Sequence, residues 1–182
     1  MKRTIFAVGL ATSLLLAGCA SNEDSDGAGE PETKAANEVQ DIKKLVNDYS
    51  VGNIEEQTAA INSHQLIVTK SDKSQVTYDL PEDEFFVSIA PYIDQTHPWQ
   101  THSLTGCQGE LVEEEFDVLI EDEDGNIILD EKVTSQANGF IDLWLPRDKT
   151  LQVSISQDGK AAKQELTTFK GDDTCVTTMQ LK

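Results

Sequence analysis

The chain has 182 residues, of which 33 are acidic and 14 are basic, so its formal net charge is −19. Hydrophobic residues make up 38% of the sequence, which supports a modest core and argues against disorder along the whole chain. This content is too low for a protein that crosses a membrane many times. Because so acidic a chain is repelled by phosphate backbones, we expect no nucleic-acid partner.

Residues 1–18 have the form of a lipoprotein signal peptide. Lys2 and Arg3 supply the positive charge, and the apolar stretch over residues 5–16 is too short to span a bilayer. The stretch ends in LAGC, which resembles the bacterial lipobox, where the cysteine is diacylated and becomes the new amino terminus. We therefore predict that Cys19 carries a lipid that anchors the protein to a membrane of the cell envelope, outside the cytoplasm.

An acidic tether over residues 19–36 is predicted to follow the signal peptide. Beyond the cysteine it contains no Val, Ile, Leu or aromatic residue, so it has nothing with which to form a core. From Asn37 the pattern becomes that of an amphipathic helix, which Gly52 is expected to end. Residues 54–63 predict a second short helix, and His64 after it is typical of a capping or surface histidine without a ligand role.

The rest of the N-terminal part, which we place at residues 37–91, is predicted to contain a small β element. Residues 65–69 and 75–80 are rich in Val, Ile, Thr and Tyr, and polar turn residues separate them, which indicates a hairpin. Residues 85–90 are a third candidate strand that would continue the same sheet.

Residues 92–182 are predicted to form a C-terminal β-domain. Two pairs of strands flank the turn dipeptides Asp124-Gly125 and Asp158-Gly159, and a further strand follows Asn138-Gly139. Short strands at this spacing favour an antiparallel β-sandwich, so the fold class is α+β. The order of the hairpins and the strand resembles prealbumin-like or carboxypeptidase-regulatory-like sandwiches.

The residues best suited to chemistry lie in residues 91–109. His97, His102 and Cys107 are spaced five apart, and imidazole with thiolate suits copper, zinc or iron. Cys175 could join them only through the fold. The alternative is a disulfide between Cys107 and Cys175, which an exported compartment permits. Spacing alone favours the disulfide, since two cysteines remain after lipidation and pair without remainder.

Five motifs closely resemble those of the CueP family of bacterial copper-binding proteins. They are SIAPY at residues 88–92, THP at 96–98, HSLTGCQGEL at 102–111, NGFIDLWLP at 138–146 and DTCVTT at 173–178. The resemblance extends over about residues 39–181 and its motifs are specific.

This resemblance implies an envelope protein of copper resistance with an N-terminal dimerising part. Family members have been associated with holding copper, with reducing Cu(II) to Cu(I), and with passing copper to superoxide dismutase. The implied metal ligands are Cys107, Cys175, His102 and His97. Cu(I) is the favoured ion and zinc a second choice, because both bind thiolate and imidazole well.

The chain departs from the family pattern at Trp99. Family members with the full site carry a further cysteine between the THP and HSLTGCQGEL motifs, and Trp99 stands there instead. We expect the loss of this thiol to affect copper reduction more than copper binding, so the protein is not expected to be a conventional enzyme. The alternatives are a thiol–disulfide redox protein using Cys107 and Cys175, and a binding lipoprotein in which their disulfide is purely structural.

Overall fold

The computed structural model describes residues 31–182 of the chain, and their side chains from residue 39 onward. The predicted signal peptide, the lipid anchor at Cys19 and the tether as far as residue 30 lie outside the described residues. Residues 31–182 form one compact unit. No helix in this part of the chain is long and apolar enough to cross a membrane.

The described residues contain one α-helix, α1, followed by short strands. The helix runs over Pro31–Ser50. The strands are β1 (Thr58–Ile61), β2 (Gln65–Thr69), β3 (Gln75–Asp79), β4 (Glu84–Ile89), β5 (His102–Ser103), β6 (Glu115–Asp122), β7 (Ile127–Thr134), β8 (Ile141–Pro146), β9 (Thr150–Gln157), β10 (Lys160–Thr167) and β11 (Cys175–Val176).

The helix α1 begins earlier than predicted and ends where predicted. Residues 31–36 were expected to belong to the tether and are helical instead, because proline fits the first position of a helix and residues 32–50 contain no glycine or proline. Gly52 ends the helix with a φ of 77°. The N–H of Asn53 donates to the carbonyl of Asp48 at 2.8 Å, which is the long bond of a Schellman cap.

The second predicted helix, over residues 54–63, is wrong, because this segment contains β1. Glu56 has a positive φ of 61°, which interrupts a helix. Ala59 and Ile61 then alternate with less buried residues, which is the period of a half-buried strand. His64 therefore lies in the turn between β1 and β2, where the side chain of Asn62 accepts hydrogen bonds from the backbone.

The N-terminal sheet has the order β3-β2-β1-β5 and is antiparallel throughout. The predicted hairpin of β2 and β3 is confirmed. The helix covers this sheet with its apolar face, so that Ile42, Val46 and Tyr49 share a buried cluster with Ile61 and Leu66. The last strand of this sheet, β5, begins 41 residues after the end of β1. Its pairing with β1 places His102 in the N-terminal sheet.

Two further sheets form a β-sandwich-like body. One has the order β10-β9-β6-β7, and it contains both predicted hairpins at Asp124-Gly125 and Asp158-Gly159. The other has the order β11-β4-β8. Side chains of β4, such as Phe85, and of β6, such as Phe116, share one buried cluster, so the two sheets enclose a common core. One pairing, β11 with β4, is parallel, which corrects the purely antiparallel prediction.

The prediction that β4 continues the N-terminal hairpin sheet is wrong. This strand is the middle strand of another sheet, between β8 and β11. Nearly every residue of β4 is buried, because its two faces contact different cores. Phe85 faces the sandwich core, whereas Phe86 joins the cluster under α1. Strands from before and after residue 91 therefore pair in the same sheets. The strand β4 lies between the two cores and contributes side chains to both.

Candidate metal centre

Three potential metal ligands from distant parts of the chain converge. The ligand atoms of His97, Cys107 and Cys175 all lie within 4.8 Å of one another. Cys107 and Cys175 are therefore close neighbours in space although they are distant in the sequence. Both are free and buried, so the disulfide between them stays a prediction.

A tight turn holds Cys107. Its N–H donates to the carbonyl of Ser103 at 2.9 Å, and the N–H of Ser103 contacts the Cys107 sulfur at 3.4 Å. The side chain is 1% exposed. The backbone thus fixes the thiol from within its own turn.

Cys175 is held by the short strand β11. This strand pairs with β4, where Ser88 is the partner of Cys175. The N–H of Cys175 donates to the carbonyl of Gln100 at 3.0 Å, and the hydroxyl of the preceding Thr174 donates to the carbonyl of Ile61 at 2.6 Å. These bonds tie Cys175 to both the sandwich and the N-terminal sheet.

His102 lies beside this group and is fully buried. It belongs to β5, where it pairs with Ile61, and its N–H donates to the hydroxyl of Thr174 at 3.2 Å. Neither ring nitrogen of His102 has a hydrogen-bond partner among the described residues. It is not one of the three residues whose ligand atoms lie within 4.8 Å of one another. Burying a polar group without a hydrogen-bond partner destabilises the folded protein. We therefore expect the His102 ring to interact with a ligand or with a nearby charge.

Phe140 contacts both histidine rings, a role that the sequence analysis missed. Its ring centroid lies 4.5 Å from that of His102 and 6.0 Å from that of His97. It is fully buried, and it shares a small apolar cluster with Cys107 and Cys175. The residue pattern around β8 predicts a strand, but it does not show that Phe140, just before this strand, faces the site. The family motif that contains Phe140 was the one sequence feature that could have indicated its role.

A contact between two glycines sets Phe140 beside Cys107. Gly139 has a φ of 77°, and the N–H of Gly109 donates to the carbonyl of Asn138 at 2.6 Å. A Cβ on Gly109 would lie 2.4 Å from the carbonyl oxygen of Gly139, so only glycine permits this approach. The two loops therefore touch backbone to backbone.

His97 lies at the more open side of the group. Its Nε2 is buried and has no hydrogen-bond partner among the described residues. The ring of Trp99 meets it edge to face, with centroids 5.4 Å apart, and Trp99 itself is 52% exposed. Trp99 and Cys175 both line a cleft of about 550 Å³ at the surface. The indole of Trp99 thus covers one side of the His97 imidazole.

The two thiols have opposite shifts in acidity. The pKa of Cys107 is lowered from its ordinary value, mainly by the neighbouring thiol of Cys175. The rings of His102 and His97 and the N–H of Ser103 lower it further, against the effect of burial. The pKa of Cys175 is raised, first by the neighbouring Cys107 and then by burial. Cys107 is accordingly the more acidic thiol of the pair.

A family model described as periplasmic copper-binding protein CueP matches residues 41–180. The chain belongs to the CueP family. The crystal structure of S.CueP matches it with a TM-score of 0.73 and 30% sequence identity, covering 85% of this chain and 100% of that chain. No curated protein matches the chain. The predicted family resemblance is confirmed.

The donor set in this CueP-family chain fits a soft metal ion. Two thiols and an imidazole form the group, and it contains no carboxylate. Magnesium and calcium prefer oxygen ligands, whereas Cu(I) and zinc accept thiolate and imidazole. The unpartnered ring nitrogens of His97 and His102 are free to serve as ligands.

His64 lies apart from this group, as expected. It is exposed in the turn between β1 and β2, and its Nδ1 contacts the hydroxyl of Ser63 at 3.1 Å. It therefore offers a control position for experiments on the site.

Proposed function

We propose that the protein binds copper in the cell envelope, where it sequesters the metal or passes it on in copper resistance. The observation that carries this proposal is the convergence of His97, Cys107 and Cys175 within 4.8 Å, beside unpartnered imidazole nitrogens. Membership of the CueP family supports copper as the cargo.

Cu(I) is the proposed oxidation state, and zinc is the alternative ion. Two thiolates suffice for Cu(I), and His97 adds a third donor. His102 either completes the set or stabilises the Cys107 thiolate from its buried position. Both cysteines must be deprotonated to serve as ligands, so metal should bind with release of protons.

The test is a competition titration of the reduced protein against a coloured Cu(I) chelator. We expect tight binding of about one Cu(I) per chain, because the site offers a single pair of thiolates. Cys107→Ser should abolish tight binding, His102→Ala should weaken it, and the control His64→Ala should leave it unchanged. Equal affinity in the wild type and Cys107→Ser would place copper elsewhere or exclude it.

A thiol–disulfide redox function is the second candidate. It is favoured by two free thiols in proximity, one of them with a lowered pKa. Oxidation of the pair to a disulfide releases two electrons and two protons, and two Cu(II) ions would take up the electrons. Thiol counts after anaerobic addition of Cu(II) separate the functions. Redox turnover consumes both thiols and yields Cu(I), whereas a carrier returns both thiols when its bound copper is removed by a chelator. A disulfide already present and resistant to mild reductant would instead indicate a structural staple.

We further propose the membrane attachment, assembly and partners of this protein. A lipid on Cys19 would hold the copper site at a membrane, and residues 37–91 would contribute to a homodimer. An envelope protein such as a superoxide dismutase is the proposed acceptor of the copper. The support is the lipobox and the family resemblance; the hairpin order likewise supports a prealbumin-like sandwich.

A further inference from the structure

His97 differs from the cysteines in how the fold holds it. Cys175 lies in a paired strand, and the turn around Cys107 is closed by backbone bonds. His97 lies in the connection between β4 and β5, outside any strand. Its distance from the sulfur atoms therefore depends on how this connection is attached to the body of the protein.

One carboxylate binds several backbone groups at the start of that connection, where the side chain of Gln180 also donates to the carbonyl of Ile93 at 2.9 Å. Oε2 of Glu110 accepts hydrogen bonds from three successive backbone N–H groups, those of Ile93 at 2.7 Å, Asp94 at 3.0 Å and Gln95 at 3.1 Å. Convergent N–H groups of this kind form a concave site for an anionic group. The next residue, Thr96, donates its hydroxyl hydrogen to the carbonyl of Thr177, and His97 follows directly.

Glu110 is exposed, but it lies close to the Cys107 thiol along the chain. It lies three residues after Cys107, and its neighbour Gly109 contacts the backbone of Gly139. The carboxylate therefore joins the Cys107 loop to the His97 loop. We propose that Glu110 is the positioning residue of His97, which sets the distance between the imidazole and the two sulfur atoms.

This inference deepens the proposed function, on which its affinity measurement rests. In Glu110→Ala, the amides of residues 93–95 should exchange hydrogen faster, and Cu(I) affinity should fall about 10-fold, as for other residues that orient a metal ligand. Glu110→Gln should retain most of the affinity, because its amide oxygen still accepts. The control Glu123→Ala removes an exposed carboxylate in the β6–β7 turn and should change neither quantity.

A double-mutant cycle separates positioning from general destabilisation. If Glu110 acts through His97, then Glu110→Ala should cause no further loss of Cu(I) affinity in a His97→Ala background. An equal loss in both backgrounds would overturn the proposal. The proposal would also be overturned if Glu110→Ala bound Cu(I) as tightly as the wild type while the amides of residues 93–95 exchanged faster.

A measurement without metal keeps the two proposals distinguishable. The rings of Trp99 and Phe140 should shift the NMR signals of the His97 ring protons in the metal-free protein. Glu110→Ala should move these signals toward those of an exposed histidine, and Glu123→Ala should not. If the wild type bound no Cu(I) and the signals still moved, the proposed function would fail and the positioning role would stand. Unmoved signals would overturn the positioning role itself.

Discussion

The buried sulfur atoms of Cys107 and Cys175 lie within 4.8 Å of each other, so the protonation of each thiol depends on the fold. The pKa of Cys107 is lowered and that of Cys175 is raised, each mainly by the other thiol. Two nearby imidazoles also favour the thiolate form of Cys107. Cys107 is therefore the thiol that ionises more readily, and a soft cation should displace its proton first.

This asymmetry predicts how stability depends on pH in the reduced, metal-free protein. The folded pKa of Cys107, about 3, is below its unfolded value of 9.0, so its stabilising contribution is full above pH 9 and declines as the pH falls toward 3. Cys175 has a raised pKa, so its contribution is present below pH 9 and is lost at more alkaline pH.

The measurement is the urea midpoint of unfolding between pH 5 and 8. We expect it to rise with pH more steeply in the wild type than in Cys107→Ser, because the variant lacks the thiol that releases its proton on folding. His64→Ala serves as the control and should follow the wild type. Parallel pH profiles for the wild type and Cys107→Ser would contradict the thiolate assignment.

At the scale of elements, the site depends on loops that the sheets bring into backbone contact. The Cys107 loop follows β5 of the N-terminal sheet, whereas Phe140 immediately precedes β8 of the sandwich. Gly109 and Gly139 are the point where the two loops meet. Changes here should therefore affect the fold and the site together.

Gly109→Ala should destabilise the protein by about 1–3 kcal/mol, because its Cβ has no space and the backbone of Gly139 must move. It should also weaken metal binding by displacing Phe140 from the histidine rings. The matched control is Gly106→Ala, whose Cβ would approach the side-chain oxygen of Ser103, a group that can rotate away. Thermal unfolding of both variants tests this, and equal midpoints would show that the glycine contact is dispensable.

At the scale of the whole molecule, an acidic chain with a net charge of −19 has a site built from neutral and thiol groups. The surface carboxylates attract cations only diffusely, so selectivity must come from the soft donors inside. The lipid predicted at Cys19 would set where this site operates without entering its chemistry.

Cys19→Ser should therefore release the protein from the membrane fraction without changing the described fold, because the sulfur of Cys19 is the atom that would receive the acyl chains. Detergent-phase partitioning is the measurement, and circular dichroism checks that the fold is retained. A wild-type protein that partitions into the aqueous phase would show that the lipobox interpretation is wrong.

The sequence by itself determined those features that neighbouring residues decide. The helix end at Gly52 and the hairpins at Asp124-Gly125 and Asp158-Gly159 follow from turn chemistry and from local periodicity. The family motifs also identified the cysteines and His97 that converge. For residues 54–63 local pattern was insufficient, because a short apolar run suits a helix or a strand until its pairing partner is known.

Only the tertiary structure decided which elements meet. The sequence of β4 does not tell which sheet it joins, since both of its faces are buried and either core would accept it. Contacts between distant segments likewise place Phe140 against both histidine rings. They also place the carboxylate of Glu110 at the N–H of Ile93, at the start of the loop that carries His97. These contacts form only when both hydrophobic cores pack against the shared strand β4. Such packing joins residues that are distant in the sequence, so no local pattern predicts it.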